Sequence, residues 1–504
     1  MIHRQHSAVV YLADVFQYNS SHGRIPFLRY KYIFIYNFTR KFSFFKSCFK
    51  KNTLSRYFSP DRHFGIPAFL FPRICPRFFR FKLDFSSIGC IFLSQNRMTN
   101  NPEQTGPVGV PQLWPVSFSE VNMKIKVGLI GVSGYGRTHF SHLRKLFDDG
   151  SIELSAAAVI NPDQVPNELA VLKQMGSTVF PSADAMFDAM NGKLDLVCIP
   201  TGIPFHEKMT VRAHEIGANV LVEKPAASSS AAVSRMMESE KRSGHFAAVG
   251  FQHIYAREIQ FIKKYLVSGR LGSVRRIFCC GIWPRNDSYY ARNNWVGKIA
   301  AADGTPILDS PINNAFAHYL NLELFLAGSS FETSAHAVSV EGALYRARKT
   351  IETFDTCTVR FTSDGGIPIF TLLSHTAAQA DDPMILIECE NGSVYWKVND
   401  SWNICSMTGK LLYSGVVEPP HIDMFRDVID KASGRQVFCC PLSVAAEHTH
   451  CIEMLSGKLT PVELNDSITR IPENGQLVLD RVESVFTECL RRKALPAEIG
   501  IAWK

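Results

Sequence analysis

No run of about 18 consecutive apolar residues occurs anywhere in the 504-residue chain, so no membrane-spanning helix is expected. No Cys-x-x-Cys spacing occurs among its 13 cysteines, which argues against a structural zinc site. The adjacent pairs Cys279-Cys280 and Cys439-Cys440 are poorly placed to bridge each other, because a disulfide needs more separation than chain neighbours give. The reading is reduced, mostly buried thiols in a cytoplasmic protein. His448 and His450 invite a metal reading, but residues two apart on a helix point to opposed sides, so no metal is expected there. Internal repeats and low-complexity tracts are also absent.

Acidic residues are scarce only at the start. The chain carries 54 Lys+Arg and 46 Asp+Glu, a net charge of +8; residues 1–122 hold 16 and 5 of these, leaving 38 and 41 for the rest. The body is therefore slightly acidic, and the whole-chain charge does not call for nucleic acid. Half of the 36 phenylalanines fall in the same first 122 residues, mixed with Arg, Lys and Tyr and without a sustained helical or strand period. Three readings of this basic, Phe-rich extension stand. It is an organellar leader, though long and aromatic for one. It is a basic-aromatic nucleic-acid segment. Or it is an artefact of an upstream start codon, with Met98 or Met123 the true start. The third is favoured, and the extension is expected to be disordered or untranslated.

The body opens on an informative stretch. Lys124 to Ile130 reads as an apolar strand, a turn follows through Gly131, Ser133, Gly134, Tyr135 and Gly136, and a helix begins at Arg137. Strand, tight glycine turn and helix N-terminus together make a seat for a pyrophosphate, with free amides and the helix dipole aimed at the anion. The pattern departs from G-x-G-x-x-G in having Ser133 at the second glycine position. Short apolar strands at Glu153–Ile160, Asp195–Ile199, Asn219–Val222 and Phe246–Val249 then alternate with helices at Pro204–Ile216 and Ser228–Ser243, the grammar of a parallel sheet covered on both faces. Beyond about residue 250 strands follow one another: Val274–Ile282, Ser334–Val340, Thr356–Phe361, Ile367–Ser374, Met384–Glu390 and Ser393–Lys397. Helices are expected at Ala256–Val267, Asn314–Leu326, Ile422–Lys431, Ser443–Leu455 and Gln476–Arg491. The fold class is α/β: a Rossmann domain at 123–250, then an α+β domain at 251–504 with a largely antiparallel open sheet.

Ligands bind at the C-terminal edge of a parallel sheet, which singles out Thr201 and His206 after one strand and Glu223-Lys224-Pro225 after the next. A Lys there can donate to a substrate hydroxyl or to the cofactor, and an X-Pro bond can be cis, turning the Lys into a cleft. An exposed Lys in a salt bridge is the plainer alternative. The segment from Trp283 to Trp295 is rich in aromatic, Asn and Arg side chains, which suits either a polyol ligand or a subunit contact.

Taken in order, VGLIGVSGYGRTH (127–139), DLVCIPTGIPFH (195–206), GANVLVEKP (217–225), AVGFQ (248–252), SGRLGSVRRI (268–277) and HYLNLELFLAG (318–328) resemble the Gfo/Idh/MocA family, over about residues 123 to 500. The resemblance implies NAD(P) binding and hydride exchange at a hydroxyl or carbonyl carbon of a sugar, cyclitol or derivative. It also implies a homo-oligomer formed through the open sheet of the second domain. The family's catalytic Lys falls on Lys224 and its His on His318. The Asp four residues before the His is here Asn314, and the Asp three after it is Asn321, with Asp309 nearby but out of register. Asn can hydrogen-bond a hydroxyl but cannot supply the charge that raises a neighbouring histidine's basicity. The implied catalytic set is Lys224, His318 and Asn314. The cofactor set is Gly131, Ser133, Gly134, Tyr135, Gly136, Asn161, Thr201, His206, Glu223 and Lys224. Asn161 stands where an acid usually binds the adenosine ribose, with Asp163 two residues on, so NAD is expected over NADP. Two further functions remain open: an NAD-dependent glycosidase without net redox, and a non-catalytic cofactor or sugar sensor.

Overall fold

The computed structural model describes residues 15–20, 23–28, 124–472 and 476–503. Strands β1 (Val15–Ser20) and β2 (Gly23–Leu28) pair antiparallel as a short hairpin. Apart from that hairpin, the expectation for residues 1–122 lies outside the described residues.

The body carries two large sheets and a two-stranded ribbon of Thr469–Arg470 against Val478–Leu479. The first has six parallel strands: β3 (Ile125–Ile130), β4 (Ile152–Ala158), β5 (Thr178–Phe180), β6 (Leu196–Ile199), β7 (Asn219–Val222) and β8 (Ala247–Val249), in the spatial order β5-β4-β3-β6-β7-β8. Chain order reverses between β3 and β6. That is the switch point of a doubly wound sheet, where the strand ends open a crevice. The strands are short and apolar because helices cover both faces. Val127, Leu129, Val197, Cys198, Val220 and Leu221 are fully buried.

The second sheet has nine strands. They are β9 (Val274–Ile282), β10 (Ala337–Arg346), β11 (Thr356–Ser363), β12 (Pro368–Ser374), β13 (Asp381–Cys389), β14 (Gly392–Lys397), β15 (Ser401–Ser406), β16 (Leu411–Val416) and β17 (Val462–Glu463). Their order is β16-β15-β14-β13-β9-β12-β11-β10-β17, antiparallel except at β9–β12 and β10–β17. Sequence periodicity missed β15 and β16, whose outer side chains alternate too weakly. It also drew the last helix from Gln476, whereas Val478–Leu479 is a strand and the helix runs Val482–Arg492.

Helix Ala317–Ala327 lies on this second sheet and is buried on all sides, including Asn321 and Glu323 at 0% exposure. It was expected to begin at Asn314. It begins three residues later, so Asn314 sits in the turn that feeds it. The buried Lys263 ammonium closes the helix's other end, donating to the carbonyls of Phe325 (2.5 Å), Gly328 (2.6 Å) and Thr333 (3.1 Å). Its donors satisfy orphan carbonyls at the helix end, while burial lowers the amine's pKa to about 7. The later chain returns to the parallel sheet: Val249 donates to the Cys440 carbonyl at 2.9 Å, and Arg257 grips Asp427 with two bonds of 2.9 and 2.6 Å.

Candidate active site

The glycine turn has the geometry of an anion seat. Gly131 and Gly134 have φ of +91° and +54°, a region that only glycine enters freely. Gly136 packs its Cα against the turn; a Cβ there would lie 2.4 Å from the Gly131 carbonyl oxygen. Among the described residues the amides of Val132, Ser133, Gly134 and Tyr135 donate to no group of the chain, and they precede helix Gly136–Asp148. Four unpartnered amides at a helix start suit a pyrophosphate, so the residues present fit a dinucleotide.

The loops after β4, β6 and β7 open on the same sheet edge. Asn161 Nδ2 donates to Gln164 Oε1 at 2.8 Å, which leaves the side-chain Oδ1 free, and Asp163 is exposed beside it. Thr201 is half-buried at the mouth. His206 is placed differently from the sequence expectation. It is fully buried, with Nδ1 2.9 Å from the Pro225 carbonyl and Nε2 3.0 Å from the Thr201 carbonyl. It ties the Thr201 loop to the Lys224-Pro225 loop and has no ring nitrogen left for a cofactor. Glu223 also points inward. Its carboxylate meets His139 Nε2 at 2.9 Å and accepts from the Lys224 amide at 3.1 Å. Burial opposes the Glu223 charge, but these hydrogen bonds and the Lys224 ammonium outweigh it and hold the carboxyl below its ordinary range. Gly250 makes room for it, since a Cβ there would lie 2.6 Å from Glu223 Oε1.

Lys224 precedes a cis proline bond and reaches across to the second half of the body, where its Nζ donates to the Asn314 carbonyl at 2.9 Å. Burial lowers its proton affinity, while Glu223 and Asp309 raise it and Arg292 opposes it. Asn314 is the hub. Its Nδ2 donates to Asp309 Oδ1 at 2.7 Å and lies 3.5 Å from the Tyr289 hydroxyl. Asp309, 4% exposed, accepts from the Gly297 amide at 2.6 Å through its other oxygen. Burial pushes its carboxyl up, against those two hydrogen bonds. The carboxylate that is out of register in sequence is thus bonded to Asn314 in space. His318, half-buried one helical step on, packs edge-on against Phe251 and His253, and its Nδ1 is buried without a partner. Burial drives the imidazole well below the ordinary histidine range, and the charges of Lys224, His253, His421 and His448 add to this. The surroundings thus favour the neutral imidazole of His318, whose Nδ1 has no partner.

Residues 125–251 match the family described as "Oxidoreductase family, NAD-binding Rossmann fold" (GFO_IDH_MocA). That match covers the nucleotide-binding half of the body, the same stretch that carries the Gfo/Idh/MocA resemblance. The inositol 2-dehydrogenase of Streptomyces avermitilis is 35% identical over 154 residues, covering 30% of this chain and 44% of that protein. The inositol 2-dehydrogenase of Pseudomonas fluorescens is 27% identical over 169 residues, covering 33% and 49%. The chain thus spans less than half the length of these two relatives. The WlbA dehydrogenase from Bordetella pertussis, solved with NADH and UDP-GlcNAcA, shares the fold. Its TM-score is 0.53 at 21% identity, covering 66% of this chain and 96% of that one.

Several side chains around this site escaped the sequence reading. His139 was quoted only as the end of a motif, yet it is Glu223's buried partner and packs edge-on to Phe425. His448 packs against Phe251, with its Nε2 3.2 Å from the Ile312 carbonyl, and His253 packs edge-on against His318. His375 meets the Tyr290 hydroxyl at 3.1 Å. Isolated histidines carry no local signal; only the packing of distant segments brings them together. Among the described residues no group of three or more His, Cys, Asp or Glu is arranged to hold a metal.

Proposed function

We propose that this chain is an NAD-dependent oxidoreductase that moves hydride between the nicotinamide and a CH–OH or carbonyl carbon of a sugar, cyclitol or derivative. The carrying observation is Lys224. It leaves the nucleotide-seat edge and ends 2.9 Å from the Asn314 carbonyl, in the turn that presents His318. The inositol dehydrogenase relatives support a polyol substrate. Residues 123–250 serve as the nucleotide domain and 251–504 as the substrate domain.

Bound nicotinamide supplies the hydride acceptor or donor. The amides of residues 132–135 receive the pyrophosphate, with Gly131, Gly134 and Gly136 shaping the turn and Ser133 and Tyr135 lining it. The free oxygen of Asn161 accepts from a ribose hydroxyl, and Asp163 disfavours a 2′-phosphate, which favours NAD over NADP. Thr201 lines the cleft. His206 and Glu223 brace its walls and hold Lys224 in place. Lys224 donates to the reacting oxygen. His318, kept neutral by its surroundings, takes the hydroxyl proton as hydride leaves, and returns it in the reverse direction. Asn314, its Nδ2 engaged, offers Oδ1 to a neighbouring hydroxyl.

Assembly through the nine-stranded sheet fits the exposed Leu411, Leu412, Tyr413 and Val416 on edge strand β16. A cytoplasmic location fits ten free cysteines among the described residues, where no helix is long and apolar enough to cross a membrane. Light scattering of the purified chain tests the assembly.

The decisive experiment measures nicotinamide absorbance with a panel of sugars and cyclitols, for the protein and for His318→Ala. Net cofactor reduction, lowered about 100-fold or more in the variant, is expected. Full turnover in His318→Ala refutes the base assignment. Tightly held nucleotide with no net redox points instead to a glycosidase or a sensor.

A further inference from the structure

The Trp283–Trp295 segment brings two arginines to the wall of this site, and neither is ion-paired. The Arg292 guanidinium lies 3.9 Å from the Tyr289 ring centroid, and that of Arg285 lies 5.1 Å from it. The Tyr289 hydroxyl is 3.5 Å from Asn314 Nδ2, so both cations are one tyrosine ring away from the turn that receives Lys224. Among the described residues neither arginine forms an ion pair. Arg285 Nη1 reaches the Pro284 carbonyl at 3.4 Å, its guanidinium also hydrogen-bonds the Tyr289 side chain, and its Nε is buried without a partner.

The contrast with the next arginine is informative. Arg348 is paired with Asp287, and its Nη2 donates to the Arg285 carbonyl at 3.2 Å. The Arg285 amide donates to the His375 carbonyl at 3.0 Å. The Arg285 backbone is fixed from both sides, while no carboxylate pairs with its guanidinium. Asp309, the carboxylate of this site, has its two oxygens engaged by the Gly297 amide and Asn314. Glu223 and Asp309 both act on Lys224, which leaves Arg285 and Arg292 without an ion-paired carboxylate, and Arg292 opposes the protonation of both Lys224 and His375.

We propose that Arg285 and Arg292 form a subsite for an anionic substituent, a carboxylate or phosphate, carried by the same polyol whose hydroxyl meets Lys224 and His318. The inference rests on the oxidoreductase reading and narrows its substrate to acidic sugars or cyclitols. Guanidinium forks match both anions bidentately, and stacking on an aromatic ring orients the fork before the ligand arrives. Solvated arginines that merely stack would give no such selectivity.

The test is calorimetric binding to the NADH-loaded full chain. The probes are glucose, glucuronate and glucose 6-phosphate, with myo-inositol and myo-inositol 1-phosphate, each at low and high salt. At least one anionic probe is expected to bind about tenfold or more tightly than its neutral parent, less so at high salt. Comparing glucuronate with the phosphates decides which anion the subsite prefers. Arg285→Gln and Arg292→Gln should each reduce that preference, and the double variant should abolish it. NADH affinity and melting temperature, measured alongside, separate this loss from misfolding. Anionic probes binding no tighter than their parents, or a preference surviving in a folded double variant, overturns the subsite. Failure of the chain to bind NADH at all refutes the oxidoreductase reading itself.

Discussion

Changing Asn314 to Asp puts a carboxylate at the family's usual position, yet the structure says it will not simply restore the usual charge. Asn314 Nδ2 donates to Asp309 Oδ1 at 2.7 Å. In Asn314→Asp that contact becomes oxygen against oxygen beside a buried carboxyl whose pKa is already raised. Two charges relaxed to 4 Å repel by about 4 kcal/mol at an effective dielectric of about 20. Lys224, attracted to both, offsets part of this, so a net penalty of about 2–3 kcal/mol is expected. That corresponds to a rise of about two pH units for one proton of the pair. A carboxyl with a raised folded-state pKa gives its stability at low pH and loses it as pH rises through that folded value. Asn314→Asp should therefore lose stability progressively from about pH 4 to neutral, relative to the parent. The exchange variant Asn314→Asp/Asp309→Asn, with one carboxylate again, should recover to within about 1 kcal/mol. Urea unfolding at pH 5 and pH 8 measures both. An Asn314→Asp deficit that does not change with pH, or an exchange variant as unstable as the single one, would refute the coupling.

Glu323 is fully buried; one oxygen accepts from Thr371 Oγ1 at 2.7 Å, and the other has no partner. Burial holds its carboxyl well above the ordinary value, so it is folded in the neutral form and destabilises the protein as pH rises. Unfolding free energy of Glu323→Gln should gain on the parent by about 1.4 kcal/mol per pH unit above about pH 4.5, until the parent carboxyl ionises. Gly136→Ala would drive a Cβ to 2.4 Å from the Gly131 carbonyl oxygen, and should weaken NADH binding in fluorescence titration at a cost of about 1–3 kcal/mol. Lys263→Met leaves three carbonyls at the end of helix Ala317–Ala327 without their donor, and its melting curve should reveal a loss of about 2–4 kcal/mol.

The parallel half of the fold was legible because its signals are local. Apolar runs such as Val127–Ile130 and Leu196–Ile199 must be buried strands, and glycines at 131, 134 and 136 punctuate one turn. The edge on which Thr201, Lys224 and the glycine turn meet followed from βαβ handedness alone. His318 and Lys224 were reachable through motif order. Strands β15 and β16 were not, since an edge of a half-exposed sheet keeps little alternation.

Only the tertiary structure decided how the site is wired. Asp309 and Asn314 are joined by a side-chain bond that requires a turn, not the helix that the sequence pattern suggested. His206 could be placed at the right edge from sequence, but whether it faced the cleft depended on two carbonyls, one of them 19 residues away. The arginines at 285 and 292 were visible as letters. That neither forms an ion pair among the described residues while Arg348 does depends on which distant strands and loops the sheet brings beside them. Secondary structure answers to the spacing of neighbours along the chain. Charge balance, burial and proton affinity answer to neighbours in space, and these the sequence leaves to the fold.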